Sequence, residues 1–234
     1  MYKRQVKNLD EVYTHIDDET VAVMLELVQG EGGVQPFDKA EIQKLAKYLK
    51  EQGVLLIIDE VQTGIFRTGE FLASNLYEIK PDIITLAKGL AGGVPIGAVM
   101  TTHKDLFEAG DHGSTFGGNF LSTRAGNEVL DILKEYKESG ALDETLSYFN
   151  GKFKTFVNAF PQYFEKEVGL GLIRGIRCKD AAFLPKAIKA AFDEGILILK
   201  AGQGTLRFLP VLTISKAEID EGFKRLQNAF EKLG

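Results

Sequence analysis

Two ionisable side chains stand where an enzyme would place reactive groups. Asp59, followed by Glu60, ends the apolar stretch in VLLIIDEV at 54–61, and Lys88 directly follows the apolar stretch at 83–87. A short apolar run rich in β-branched residues is typical of a strand buried on both faces of a parallel sheet, which has no place for a charge in its middle. Asp59 and Lys88 are therefore predicted at the carboxyl ends of strands, where open α/β sheets bind ligands.

Each of the two residues also has an ordinary structural role open to it. A lysine at a strand end can extend its ammonium into water, and an aspartate there can cap the next helix. A desolvated lysine amine, however, can form a Schiff base with a carbonyl. Pyridoxal phosphate needs both groups, because the amine binds its aldehyde and the carboxylate keeps its ring nitrogen protonated. Asp59 and Lys88 together thus indicate such a site, with two structural residues as the alternative.

The loop HGSTFGGN at 112–119 offers a third chemical feature. Ser114 and Thr115 stand there among glycines. Hydroxyls and backbone N–H groups in a glycine-rich loop can form a nest for phosphate. An ordinary flexible turn has the same composition, so the loop on its own favours the turn.

Alternating strands and helices are expected to position these groups. A buried strand is predicted at 20–28 and leads into the loop QGEGG at 29–33. Asp38 then begins a helix of apolar period 3.6 that stops at Gly53, before the strand at 54–61. The order strand, helix, strand implies a right-handed parallel crossover.

The remaining elements complete an α/β fold with a mostly parallel sheet and flanking helices, followed by a small α+β domain. The segment 95–101 follows Lys88 too soon for a crossover helix, so it is expected to pair antiparallel. We place the domain boundary near residue 146, which gives units at 6–145 and 146–234. Further elements are predicted at 71–77 (helix), 122–136 and 143–160 (helices), 168–178 (an interrupted strand), 185–192 (helix), 196–200 and 205–209 (strands), and from Ser215 onward (helix).

Composition and charge argue against several classes of protein. The 234 residues are 44% hydrophobic, and the net charge of -5 gives no electrostatic footprint for nucleic acid. The apolar runs are far shorter than a membrane span. Cys178 is the single cysteine, so no intrachain disulfide can form, which suits the cytoplasm. Three scattered histidines and one cysteine argue against a structural metal site.

Six segments occur in an order that points to a family. They are QGEGG (29–33), IIDEVQTG (57–64), RTGEF (67–71), LAKGLAGGVPIGAV (86–99), HGSTFGGN (112–119) and TLRFLP (205–210). From residue 20 onward the chain resembles the class III aminotransferases, which are fold-type I pyridoxal-phosphate enzymes. The resemblance implies that Lys88 is the Schiff-base lysine and proton carrier, and that Asp59 pairs with the pyridine nitrogen. It also implies that Val61 packs on the ring and Gln62 contacts its phenolic oxygen.

The resemblance assigns three further roles. Thr115, beside Ser114, is expected to reach the phosphate across a homodimer interface. Arg207 is similar to the clamp for a substrate α-carboxylate, and Glu31 to the acid that faces it. One departure concerns the loop after Asp59, where Phe66 stands at a position that is often glycine in the family.

The implied reaction moves a side-chain amino group through pyridoxal phosphate to 2-oxoglutarate. The donor most like the pattern is N-acetylornithine, in arginine biosynthesis; ornithine, 4-aminobutyrate or succinyl-diaminopimelate, and an aminomutase reaction, are the near alternatives. A non-catalytic α/β binding domain is the alternative from another class. Family members extend further at the N-terminus, so the chain is expected to correspond to their C-terminal part and to be inactive alone. The residues at 1–5 lead into no pattern and are left out of the fold prediction.

Overall fold

The computed structural model describes residues 3–233, so Met1, Tyr2 and Gly234 lie outside the part considered below, including two residues of the segment set aside at 1–5. In this part the strands are β1 (Ala22–Leu25), β2 (Val28–Gln29), β3 (Gln35–Pro36), β4 (Leu55–Asp59), β5 (Ile83–Leu86), β6 (Ala98–Thr101), β7 (Phe164–Leu170), β8 (Ile173–Cys178), β9 (Leu199–Ala201) and β10 (Thr205–Phe208). The α-helices are α1 (Leu9–His15), α2 (Lys39–Glu51), α3 (Ala73–Leu76), α4 (Phe120–Glu138), α5 (Ala141–Ala159), α6 (Leu184–Asp193) and α7 (Lys216–Glu231). None of these helices is both long and apolar enough to cross a bilayer.

The first sheet carries the predicted strand ends. Its order is β1-β4-β5-β6; β1, β4 and β5 run parallel and β6 runs antiparallel to β5. The parallel crossover and the antiparallel fourth strand are confirmed. Asp59 pairs in register with Thr85 of β5, and Lys88 follows three residues later. Both predicted groups therefore lie at one edge of this sheet.

Helix α2 forms the crossover between β1 and β4. The Asp38 side chain accepts a hydrogen bond from the Glu41 backbone N–H, as an N-cap does. Ile42, Leu45 and Leu49 are buried against β4. Gly53 has φ of +71°, a left-handed conformation that glycine adopts without strain. These local signals explain why the sequence predicted this helix well.

The prediction of one buried strand at 20–28 is wrong. β1 is only four residues long and forms the sheet edge, with Met24 57% exposed. Val28 belongs instead to the small antiparallel ribbon of β2 and β3. Burial of β4 on both faces is also incomplete, since Leu56 and Ile58 are buried while alternate residues are half-buried. The reason is that α2 covers one face of the sheet only.

The second sheet is antiparallel, in the order β7-β8-β10-β9. The interrupted strand predicted at 168–178 is a hairpin of β7 and β8. Its turn needs glycine, because a Cβ on Gly171 would lie 2.6 Å from the Arg67 carbonyl oxygen and its φ is +54°. Helices α5, α6 and α7 pack on this sheet around an aromatic core that includes Phe153 and Phe230.

Helix α5 contributes to both halves of the molecule. Leu142 at its start packs in the cluster with Ile84 and Leu86 of the first sheet. Phe149 and Phe153, further along, belong to the core of the second sheet. We propose that the domain boundary lies between them, near residue 146, because the packing partners of the helix change there.

Candidate functional site

Asp59 is held with one oxygen bound and the other open. Its Oδ1 accepts hydrogen bonds from the Val61 N–H at 2.9 Å and from the Thr85 hydroxyl at 3.0 Å. Its Oδ2 has no hydrogen-bond partner within residues 3–233, and the residue is only half-buried. The two donors fix the orientation of the carboxylate. The open oxygen is therefore available to a ligand at the sheet edge.

Lys88 follows β5 at the start of a short 3₁₀ turn, Lys88–Ala91. Its backbone is in the left-handed region with φ of +48°, which is uncommon for a residue with a Cβ. Leu90 and Ala91 are buried beneath it, and the turn packs on α4. The side chain itself is exposed, so the desolvation expected from the sequence is not present in this chain. Backbone conformations of this kind persist where packing holds them, often at functional sites.

An ion pair connects the two halves of the molecule beside these residues. The Arg207 Nη1 lies 2.5 Å from a Glu31 carboxylate oxygen and 3.5 Å from the Gln62 side-chain oxygen. The Arg207 side chain is 9% exposed and that of Glu31 is 71% exposed. The hydrogen bond and charge of Arg207, with a smaller contribution from Lys88, lower the pKa of Glu31 below its ordinary value. Glu31 is therefore charged at neutral pH and lies within electrostatic reach of Lys88.

Two other predicted residues are not brought to this place. Ser114 and Thr115 lie in an exposed loop, and the Ser114 hydroxyl accepts a hydrogen bond from the Gly117 N–H. Neither hydroxyl has a hydrogen bond to Asp59, Lys88 or Gln62 in the part of the chain that the structure describes. Their role at a phosphate remains a prediction.

Two residues that support the site could not be recognised from the sequence. Thr85 gives Asp59 its second hydrogen bond, and only the strand register brings the two side chains together. Glu60 is 1% exposed and binds the start of α3 through the Ala73 and Ser74 N–H groups. The charge of Glu60 next to a buried strand was the available signal, but the two backbone N–H groups that it binds lie more than ten residues away.

The donor set at this edge fits pyridoxal phosphate. The Asp59 oxygen without a partner suits a protonated ring nitrogen, and the Lys88 amine is exposed for an aldehyde. The Arg207 Nε is buried without a hydrogen-bond partner among residues 3–233, which suits a carboxylate substrate. In the same residues no three carboxylate, histidine or cysteine side chains converge in a way that would hold a metal ion.

Comparison with known proteins gives the family. The family model for aminotransferase class III matches residues 1–230. The chain belongs to the class III aminotransferases. The acetylornithine aminotransferase of Wolinella succinogenes is 57% identical over 227 residues, which are 97% of this chain and 58% of that protein. The succinylornithine transaminase of Photorhabdus laumondii is 42% identical over 231 residues, covering 97% of this chain and 57% of that protein.

Solved structures of class III aminotransferases share the fold. The N-acetylornithine aminotransferase of Stenotrophomonas maltophilia superposes with a TM-score of 0.84 at 30% identity, over 97% of this chain and 60% of that one. An ornithine aminotransferase of Toxoplasma gondii, described with partial occupancy of PLP at its active site, gives 0.80 at 32% identity, over 96% and 53%. The predicted α/β fold of pyridoxal-phosphate transferases is thus confirmed. The chain spans a little over half the length of the relatives that it matches.

Proposed function

We propose that this chain is the lysine-bearing part of a pyridoxal-phosphate-dependent acetylornithine aminotransferase. The complete enzyme would pass the side-chain amino group of N-acetylornithine to 2-oxoglutarate, giving N-acetylglutamate semialdehyde and glutamate. The observation that carries the proposal is the open Asp59 oxygen and Lys88 on adjacent strand ends, beside a buried Arg207 paired with Glu31. The 57% identity to an acetylornithine aminotransferase supports the choice of donor.

Several residues of this chain would bind and orient the cofactor or move a proton at it. When bound, pyridoxal phosphate supplies an aldehyde that condenses with amines and a ring that accepts electrons. Asp59 Oδ2 would hold a proton at the ring nitrogen, while the hydrogen bonds from Val61 and Thr85 to Oδ1 keep the carboxylate oriented. Lys88 would hold the aldehyde through its amine, and the same amine would be the base that carries the proton. Gln62, which lies 3.5 Å from Arg207 Nη1, would contact the phenolic oxygen.

Arg207 and Glu31 account for two substrates of different shape. The donor carries its α-carboxylate several bonds from the amine that reacts, whereas 2-oxoglutarate carries a carboxylate on the reacting carbon itself. Arg207 pairs with Glu31, and the charge of Lys88 contributes to the lowered pKa of Glu31, which supports a role for the guanidinium at the carboxylate nearest the reaction. In the donor half-reaction Glu31 neutralises Arg207, and in the acceptor half-reaction the substrate carboxylate replaces Glu31.

Labelling of Lys88 tests the proposed chemistry. The full-length protein incubated with pyridoxal phosphate should absorb as a bound cofactor, and borohydride should fix the cofactor to the peptide that contains Lys88. Lys88→Ala should abolish fixation and turnover, while Lys80→Ala, a change three residues before the same strand, should keep both. Fixation to another lysine in the parent protein would refute the assignment.

Substitution of Arg207 tests whether this residue binds the carboxylate of 2-oxoglutarate and not that of the donor. Arg207→Lys keeps the charge but loses the planar fork that binds a carboxylate through two hydrogen bonds. The KM for 2-oxoglutarate should rise by about tenfold or more, on the order of one charge-assisted hydrogen bond. An equal loss with donor and acceptor would show that Arg207 is structural.

Two other candidate donors can be compared directly with N-acetylornithine. The relative named succinylornithine transaminase and one named for both acetylornithine and succinyldiaminopimelate are 42% and 39% identical to this chain. Acetylornithine and succinylornithine differ only in the acyl group, whereas succinyldiaminopimelate also carries a carboxylate on the carbon that bears the reacting amine. Steady-state kcat/KM for each donor with the same acceptor decides among them.

We further propose that the complete protein is a cytoplasmic homodimer in which the loop with Ser114 and Thr115 serves the partner's phosphate. The loop is exposed, and Phe116, Phe120 and Leu121 beside it are 82%, 95% and 74% exposed. Apolar side chains so placed are typical of an interface. Light scattering of the full-length protein tests the dimer, and a fully active monomer would contradict it.

A further inference from the structure

A set of hydrogen bonds fixes the backbone that carries Glu31, and the residues that donate them have no role assigned above. The Gly202 N–H donates to the Glu31 carbonyl at 2.8 Å. The Gln203 side-chain amide donates to the Gly32 carbonyl at 2.9 Å. Glu31 and Gly32 are separated from Gln203 by more than 170 residues in the chain. The turn between β9 and β10 therefore holds the Glu31 loop from the other half of the molecule.

Arg177 on β8 completes this set of contacts, which we call the clasp. Its Nη1 donates to the Gln203 side-chain oxygen at 2.5 Å, and its Nε to the Thr205 hydroxyl at 3.0 Å. Its Nη2 lies 3.4 Å from the Gly33 carbonyl. No carboxylate lies within 4.0 Å of Arg177 in residues 3–233. The guanidinium thus serves neutral acceptors that all belong to the clasp.

The two sides of the clasp fit closely, and the backbone adopts strained conformations to make the contact. A Cβ on Gly202 would lie 2.9 Å from the Glu31 carbonyl oxygen, and one on Gly33 would lie 2.8 Å from the Gly202 carbonyl oxygen. Gln203 and Val34 both have φ of +55°, which is uncommon for residues other than glycine. Gln203 and Val34 lie on opposite sides of one contact, and backbone conformations of this kind persist only where the surrounding structure holds them.

The clasp and the substrate clamp share one strand. Thr205 and Arg207 are both on β10, and β8 places Arg177 opposite Thr205. The distance between the Glu31 backbone and the Arg207 guanidinium is therefore set by the clasp rather than by the ion pair alone. The Glu31 side chain remains 71% exposed, so it can rotate while its backbone stays in place.

We propose that Arg177 and Gln203 are positioning residues that set the choice between the two substrates of the proposed aminotransferase. They hold the Glu31 backbone so that side-chain rotation alone uncovers Arg207 when a carboxylate arrives next to the reacting carbon. Without the clasp the Glu31 loop moves away, Arg207 is no longer neutralised, and the donor, which has no carboxylate there, faces an unpaired buried cation. The inference rests on the proposed function and extends it to residues that touch neither cofactor nor substrate.

Gln203→Ala in the full-length holoenzyme tests the inference, with Gln227→Ala on α7 as the matched control. Gln227 is an exposed glutamine whose amide binds only Glu231 of the same helix in the described chain. The two half-reactions are measured separately, with donor alone and with 2-oxoglutarate added to enzyme already carrying the amino group. In Gln203→Ala the ratio of donor to acceptor kcat/KM should fall by at least about fivefold, the effect of about one hydrogen bond. The control should keep the parent ratio.

Two further measurements separate positioning from a loss of folding. Deuterium exchange at the Gly202 amide, which donates to Glu31, should be faster in Gln203→Ala and unchanged in Gln227→Ala. Arg177→Lys, which keeps the charge and loses the three-way contact, should shift the ratio in the same direction if Gln203→Ala fails to fold. A smaller shift than about fivefold in the folded variant, or equal losses in both half-reactions, would overturn the inference. Failure of the proposed function itself is distinguishable, because the parent protein would then transaminate neither substrate.

Discussion

Glu60→Gln is the substitution whose cost can be worked out most fully from the structure. The Glu60 side chain is 1% exposed and accepts four hydrogen bonds. One oxygen binds the N–H and hydroxyl of Ser74 at 2.8 and 2.7 Å, and the other binds the Ala73 N–H at 3.0 Å and the Thr63 hydroxyl at 2.6 Å. Leu72 precedes α3 and has no side-chain acceptor, so Glu60 caps the helix from the end of β4.

A glutamine cannot satisfy these four donors. Whichever oxygen becomes an NH₂ group, the hydroxyl at that end can turn and accept, but the backbone N–H of Ala73 or Ser74 cannot. One buried N–H then loses its acceptor at about 1–3 kcal/mol, and the remaining bonds lose the support of a charge, about 1 kcal/mol more. The expected loss is about 3 kcal/mol, a large fraction of a typical domain stability of about 5–15 kcal/mol.

Urea unfolding of the full-length protein, followed by circular dichroism at one protein concentration, measures this loss. Glu78→Gln is the matched control, because Glu78 pairs with Lys39 at 2.7 Å but is 70% exposed. An exposed pair of this kind contributes little to stability. If Glu60→Gln lowered the free energy of unfolding by no more than about 1 kcal/mol beyond the control, the four-bond account of Glu60 would be refuted.

Three other predictions concern the site. Asp59→Asn should still bind pyridoxal phosphate but lower kcat by about 100-fold or more, because an amide does not hold the ring nitrogen protonated; near-parental kcat would leave Asp59 as a turn residue. Thr115→Ala should raise the cofactor Kd by about fivefold, on the order of one hydrogen bond, and an unchanged Kd by equilibrium dialysis would remove Thr115 from the phosphate site. The lowered pKa of Glu31, caused first by its hydrogen bond to Arg207, means that the pair contributes fully above the ordinary glutamate value of 4.5 and is lost as pH falls through the lower folded value. Donor kcat/KM should therefore show no loss from this group until the pH is below 4.5, and in Arg207→Lys that loss should begin at higher pH.

Much of the fold could be predicted because the signals are local. Asp38 and Ser215 cap their helices as predicted, with Glu218 completing a capping box at the second. The β-branched run before Asp59 and the glycines after Lys88 gave the strand ends. Phe66, at a position where the resemblance led us to expect glycine, has φ of +63° and is buried beside Phe71. Glycine adopts this conformation without strain, whereas phenylalanine adopts it against its preference.

The chemistry of single residues and short segments could be read from the sequence alone: a carboxylate and an amine at the ends of apolar strands, and helices with defined caps. The facing of Glu31 and Arg207 was expected from family resemblance, since the residues alone gave no reason to join positions 176 apart. Three sets of contacts became visible only in the folded chain: Thr85 supports Asp59, Glu60 caps α3, and Arg177 and Gln203 hold the Glu31 loop. These contacts depend on strand register and on how the two sheets dock, which join residues far apart in the sequence.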